Sequence, residues 1–143
     1  KEEWTKKALQ EPGVMVASDL LPMVSLDNKV APHNGTFSKV LGQYVREERL
    51  LDLKVALAKM TLLPAQRLEN IAPAFKNKGR LQVGADADIT VFDPATVRDK
   101  ATYMNPYQAS VGINQVIVNG ELVVSDGKII EGVYPGKALL SGK

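Results

Sequence analysis

Apolar positions along this chain follow two rhythms: helical spacing up to about residue 70, and short β-branched runs beyond Lys76. From Glu2 to Gln10 the sequence is charged, with Trp4, Ala8 and Leu9 as its apolar points, which predicts a short amphipathic helix. Pro12-Gly13 ends that helix in a turn. Val14-Met15-Val16-Ala17 is then a continuous apolar run closed by Ser18 and Asp19, the pattern of a strand buried on both faces in a parallel sheet. Helix, tight turn and buried strand in that order form the unit of an α/β barrel or a doubly wound sheet. Leu20 to Gly35 holds prolines, Asx residues and the only histidine, and reads as a long loop of the kind that carries function. Thr36 is placed to cap a helix whose Phe37, Val40, Leu41, Tyr44 and Val45 share a face. A second helix is predicted from about Leu51 to Met60. Pro64 suits the first turn of a third, running to Leu68.

Beyond Lys76, glycines punctuate the chain and helix formers give way to β-branched residues. Ile89-Thr90-Val91-Phe92 reads as a strand ended by Asp93-Pro94. Val116 to Val118 and Leu122 to Val124 flank Asn119-Gly120-Glu121, and an Asn-Gly turn between apolar runs is the strongest local mark of a hairpin. Asp126-Gly127 offers another turn before Lys128-Ile129-Ile130. The expected fold class is therefore α/β, with a helical part over residues 1–72 and a β-rich part over residues 73–143. The seam falls between Asn70 and Gly79.

Composition adds limits. A chain of 143 residues, 45% hydrophobic and 24% charged, suits one compact domain or two small ones. A net charge of +2 with no cluster of Lys and Arg gives no electrostatic footprint for nucleic acid. No apolar run approaches the ~20 residues that cross a bilayer. Cysteine is absent, so neither a disulfide framework nor a thiolate metal site is available. The first residue is Lys1, and the charged opening lacks the apolar core of a signal peptide. We expect a fragment whose compartment the sequence does not fix.

Asp19 stands where the buried strand breaks into the loop. In a barrel, the groups that do chemistry sit at the C-terminal ends of strands. A carboxylate there can bind a metal ion and relay a proton, or it can be a plain turn or helix-capping aspartate. His33 is either a group that contacts substrate or an exposed loop histidine, and it is not expected to ligate metal. Ser18, Asn34 and Thr36 lie near the same region. Asp86 and Asp88 look like a metal pair on paper, but the alternation Asp-Ala-Asp-Ile is what a strand entrance shows, so they are given structural roles. Glu47-Glu48 between Arg46 and Arg49 reads as a solvated helix end, and Trp4 as a packing residue.

Three stretches, in this order and spacing, resemble one superfamily. Gly79-Arg80-Leu81-Gln82-Val83-Gly84-Ala85-Asp86-Ala87-Asp88-Ile89-Thr90-Val91-Phe92-Asp93 is similar to the segment that closes metal-dependent amidohydrolases. Val116 to Gly120 with Asp126-Gly127-Lys128 resembles the hairpin that follows it. Val14 to Asp19 resembles the eighth barrel strand. Gly35 to Glu47 and Lys59 to Leu68 are similar to the N-acyl-D-amino-acid deacylases (D-aminoacylases). Leu20-Leu21-Pro22 after Asp19 sets the chain apart from dihydroorotases and hydantoinases, which carry a His-Ala-Pro type sequence there.

The resemblance implies the C-terminal part of a (β/α)8 barrel, its last strand and closing helices, followed by a small β-sandwich portion. It implies a hydrolase of non-peptide carbon–nitrogen bonds that deacylates N-acyl amino acids with metal-activated water. Asp19 is then a metal ligand and proton shuttle, and His33 a substrate contact. One or two divalent ions are implied, zinc foremost. Catalytic zinc usually takes about three protein ligands, and one histidine without cysteine leaves most of them outside this chain. The chain alone is expected to be inactive, with a small N-acyl or amide substrate and the upstream part of its own protein as partners, and with self-association open. The alternatives are a non-catalytic β-sandwich assembly module, or a cyclic-amide or imide hydrolase or deaminase of the same superfamily.

Overall fold

A computed structural model describes residues 2–18, 35–102, 104–105 and 108–141. Helix α1 spans Glu2–Gln10, with Glu2 and Glu3 in the first turn and Lys7 in the last, charges that complement the helix dipole. Helix α2, Thr36–Lys39, runs straight into a π-helical stretch, Val40–Glu47. There the Glu48 N–H donates to the Gln43 carbonyl five residues back, at 2.8 Å. Helix α3, Leu53–Met60, is capped by Asp52, whose carboxylate accepts from the Lys54 N–H at 2.8 Å. Helix α4, Leu62–Leu68, carries Pro64 in its first turn, and a 3₁₀ turn, Pro73–Asn77, leads out of the helical part. The helices meet around Leu9, Val40, Tyr44 and Ala56, with Val16, Val45, Leu50, Leu51 and Met60 packed against that core.

Strands β1 (Ile89–Phe92), β2 (Ile113–Val118), β3 (Glu121–Ser125) and β4 (Lys128–Ile129) form one antiparallel sheet in sequence order. Both hairpin turns are where the sequence puts them. Asn119 and Gly120 take φ of 51° and 85°, and Asp126 and Gly127 take 49° and 72°, the left-handed pair that suits a two-residue hairpin. The resemblance implied a sandwich portion; among the described residues there is a single sheet, and no residue of β1 to β4 is buried.

Helical and β parts are joined by a close approach. A Cβ at Gly42 would sit 2.6 Å from the Val97 carbonyl oxygen, so only glycine lets the π-helical stretch reach that chain. Arg46 reinforces the seam, its Nη1 donating to the Val97 carbonyl at 2.5 Å. Val97 itself is buried.

Four expectations need correction. Val14 to Ala17 forms no strand among the described residues, where no parallel neighbour is present to pair with it, and Met15 and Ala17 are exposed. Gly35, not Thr36, takes the N-cap position of α2, and Thr36 is its first residue. Trp4 is 75% exposed, with the Lys7 ammonium 5.3 Å from the centre of its ring. Glu47 and Glu48 are exposed at the helix end as expected, but Arg46 beside them is a link to the β part, and Glu48 pairs with Lys6 at 2.9 Å.

Candidate functional site

Asp19 and His33, the two residues singled out for chemistry, lie outside the described residues, as does Asn34. The approach to Asp19 and the exit after residue 34 are described. Ser18 is the last described residue before this segment and Gly35 the first after it, and the Gly35 carbonyl accepts from the Lys39 N–H at 2.7 Å. Val16 on one side and Val40 on the other belong to the same apolar core, so both stems are anchored on one packed unit.

The approach is held by a residue that pattern reading passed over. Lys59 is 1% exposed, and its Nζ donates to the Glu11 carbonyl and, at 2.9 Å, to the Val14 carbonyl. Its own carbonyl accepts from the Val16 N–H at 3.0 Å. The sequence held one clue: Lys59 lies three residues after fully buried Ala56, on the same face of α3.

Asp86 and Asp88 have the structural roles expected of them. Lys78 Nζ lies 2.9 Å from Asp86 and 2.6 Å from Asp88, and the second oxygen of Asp88 accepts the Asn119 N–H at 2.7 Å. The Lys78 hydrogen bond, aided by the Asn119 N–H, holds the Asp88 carboxyl below its ordinary range. Asp93 closes β1 by accepting from the Ala95 N–H and the Thr96 hydroxyl, which hold its carboxyl low as well.

A metal ion does not fit the described residues. No group of three or more His, Cys, Asp or Glu side chains among them is placed to hold one. An apolar cleft of about 180 Å³ lies between the π-helical stretch and β1, lined by Leu41, Val45, Arg46, Leu53, Phe92, Pro94 and Val97. Its single charged group, Arg46, is committed to the Val97 carbonyl, so the cleft is a packing seam without an acid, base or nucleophile. No helix among the described residues is long and apolar enough to cross a membrane.

Most of this chain is similar to part of several larger known proteins. An N-acyl-D-glutamate deacylase of Alcaligenes xylosoxydans xylosoxydans is 48% identical over 122 residues, which are 83% of this chain and 23% of that protein. A D-aminoacylase, solved in work on its binuclear metal centre, superposes with a TM-score of 0.86 at 37% identity, over 97% of this chain and 28% of its own. The N-acyl-D-glutamate deacylase of Bordetella bronchiseptica, solved with zinc and a phosphonate inhibitor, superposes at 0.77 with 46% identity, over 90% of this chain and 27% of its own. The chain spans about a quarter of the length of the curated relatives it matches. The model of the amidohydrolase family matches residues 6–124, and the chain belongs to that family.

Proposed function

We propose that this chain is the C-terminal part of a metal-dependent hydrolase that removes the acyl group from N-acyl-D-amino acids. The observation that carries the reading is the 48% identity to an N-acyl-D-glutamate deacylase over 83% of this chain, beside a family match over residues 6–124 that takes in the approach to Asp19 and the whole Gly79–Asp93 segment. Residues 1–72 are read as the last strand and closing helices of a (β/α)8 barrel, and residues 73–143 as part of a β-sandwich completed by upstream chain. Asp19, at the end of that strand, takes the proton of the attacking water and passes it to the departing amine nitrogen. It also gives one carboxylate to the metal ligand set, and His33 contacts the substrate. A bound zinc ion would lower the pKa of water and polarise the acyl carbonyl; its remaining ligands would come from upstream.

The test is an assay of the protein with its upstream sequence against N-acetyl derivatives of D-glutamate, D-aspartate and D-leucine and their L forms. We expect hydrolysis of at least one D form, its loss on chelation and its return with zinc. Failure to hydrolyse any N-acyl amino acid in the zinc-loaded protein would overturn the reading.

A further inference from the structure

Among the described residues, Lys59 is the one charged side chain that is buried. No described carboxylate lies within ion-pair distance of it; carbonyl dipoles from the turn after α1 receive its protons instead. Removing an ammonium from water is costly unless it is hydrogen-bonded, and an apolar side chain of similar length would fill the same space without that cost. What the cation adds is geometry. Two contacts from its Nζ and one to its carbonyl fix Glu11, Val14 and Val16 against a single residue of α3.

Exposure along the fixed stretch alternates as it does in extended chain: Val14 and Val16 are half-buried, Val16 against the core, and Met15 and Ala17 are exposed. In extended chain successive side chains face opposite ways, so a slip of one residue would exchange the two faces and everything that follows. Asp19 follows Val16 by three residues in the sequence. We propose that Lys59 is a positioning residue, which locks the register of residues 11–16 and so fixes the stretch from which the chain continues to Asp19. This rests on the reading of Asp19 as an active-site carboxylate.

Lys59→Met and Asp19→Asn, made side by side in the protein with its upstream sequence, test it. With Lys59→Met we expect faster hydrogen exchange across residues 14–17 and a kcat lower by about 10–100-fold, the usual cost of losing an outer supporting contact. KM should stay within about threefold. Lys59→Arg, which keeps the donors, should restore part of both readings. Parental kcat in Lys59→Met beside a crippled Asp19→Asn would overturn the role of Lys59 and leave that of Asp19 intact. Parental kcat in Asp19→Asn would overturn the Asp19 reading, and the register lock then stands or falls on exchange at residues 14–17. If Lys59→Met does not fold, Lys59→Gln, with a shorter stem that still donates, takes the same measurements.

Discussion

Lys78 gathers two carboxylates at the entrance to β1, and its effect on stability can be read from pH. Its hydrogen bond to Asp88 raises the ammonium pKa and lowers that of the carboxyl. For Asp88 the folded value lies below the unfolded one, so its contribution is complete above the ordinary aspartate pKa of about 3.9 and is lost as pH falls through the folded value. For Lys78 the folded value is the higher, so its contribution is complete below the ordinary lysine pKa of about 10.4 and is lost as pH rises through the folded value. Lys78→Met should therefore lower the thermal midpoint at pH 7 by about 1–3 °C, as expected of a partly exposed network. The deficit should shrink as pH falls below the ordinary aspartate pKa of about 3.9 and on through the lower folded value. A deficit that is constant from pH 7 to pH 2 would assign Lys78 to packing instead. Asp19→Asn in the longer protein is expected to reduce kcat by about two to four orders of magnitude while leaving the circular dichroism unchanged. An unaltered kcat would make Asp19 structural.

Gly42 shows how an element takes its shape from contacts far along the chain. It lies in the middle of a helical stretch, where glycine costs about 1 kcal/mol relative to alanine. It stands there because the Val97 carbonyl passes where its Cβ would be. Gly42→Val should destabilise the protein by about 1–3 kcal/mol, since the clashing atom is backbone and cannot swing aside. Gly13→Ala, with nothing within 4 Å of the added atom, should stay within about 0.5 kcal/mol of the parent. Denaturant unfolding of the two variants separates these outcomes. The helices and hairpins were legible because their signals are local: the 3–4 spacing of Val40, Leu41 and Tyr44, and Asn-Gly at a tight turn. The π-helical winding of Val40–Glu47 was not, because that apolar spacing is the same as in an α-helix. Nor was the link from Arg46 to Val97, which spans 51 positions and depends on how the β part docks. The role proposed for Asp19 rests on the order of three distant segments alone, since Ser-Asp after an apolar run is also an ordinary turn.

At the scale of the whole molecule, the described residues leave apolar surface exposed. No residue of β1 to β4 is buried, Ile129 is 80% exposed and Val91 41%. The outer edge of β1 has no strand partner among the described residues, and an unpaired edge is a template for another chain. Trp4 and Met15 face outward from the helical part as well. Burying a large apolar side chain is worth about 1.5–3 kcal/mol, so a handful of them rivals the net stability of a small domain. The 143-residue chain alone should therefore associate with itself at micromolar concentration in a sedimentation experiment. It should show no amidase turnover with added zinc, since the chain has one histidine and no cysteine and its described residues place no metal-ligand group. Hydrogen exchange gives a finer reading. The Val14 and Val16 amides donate to the Glu11 and Lys59 carbonyls, whereas those of Met15 and Ala17 have no partner among the described residues. Alternating protection along residues 14–17 is expected in the isolated chain. In the longer protein, where neighbouring barrel strands would pair with the segment, all four amides should be slow. A monomeric chain with all four already slow would mean that the segment completes its pairing within these 143 residues, and its assignment as a barrel strand would have to be given up.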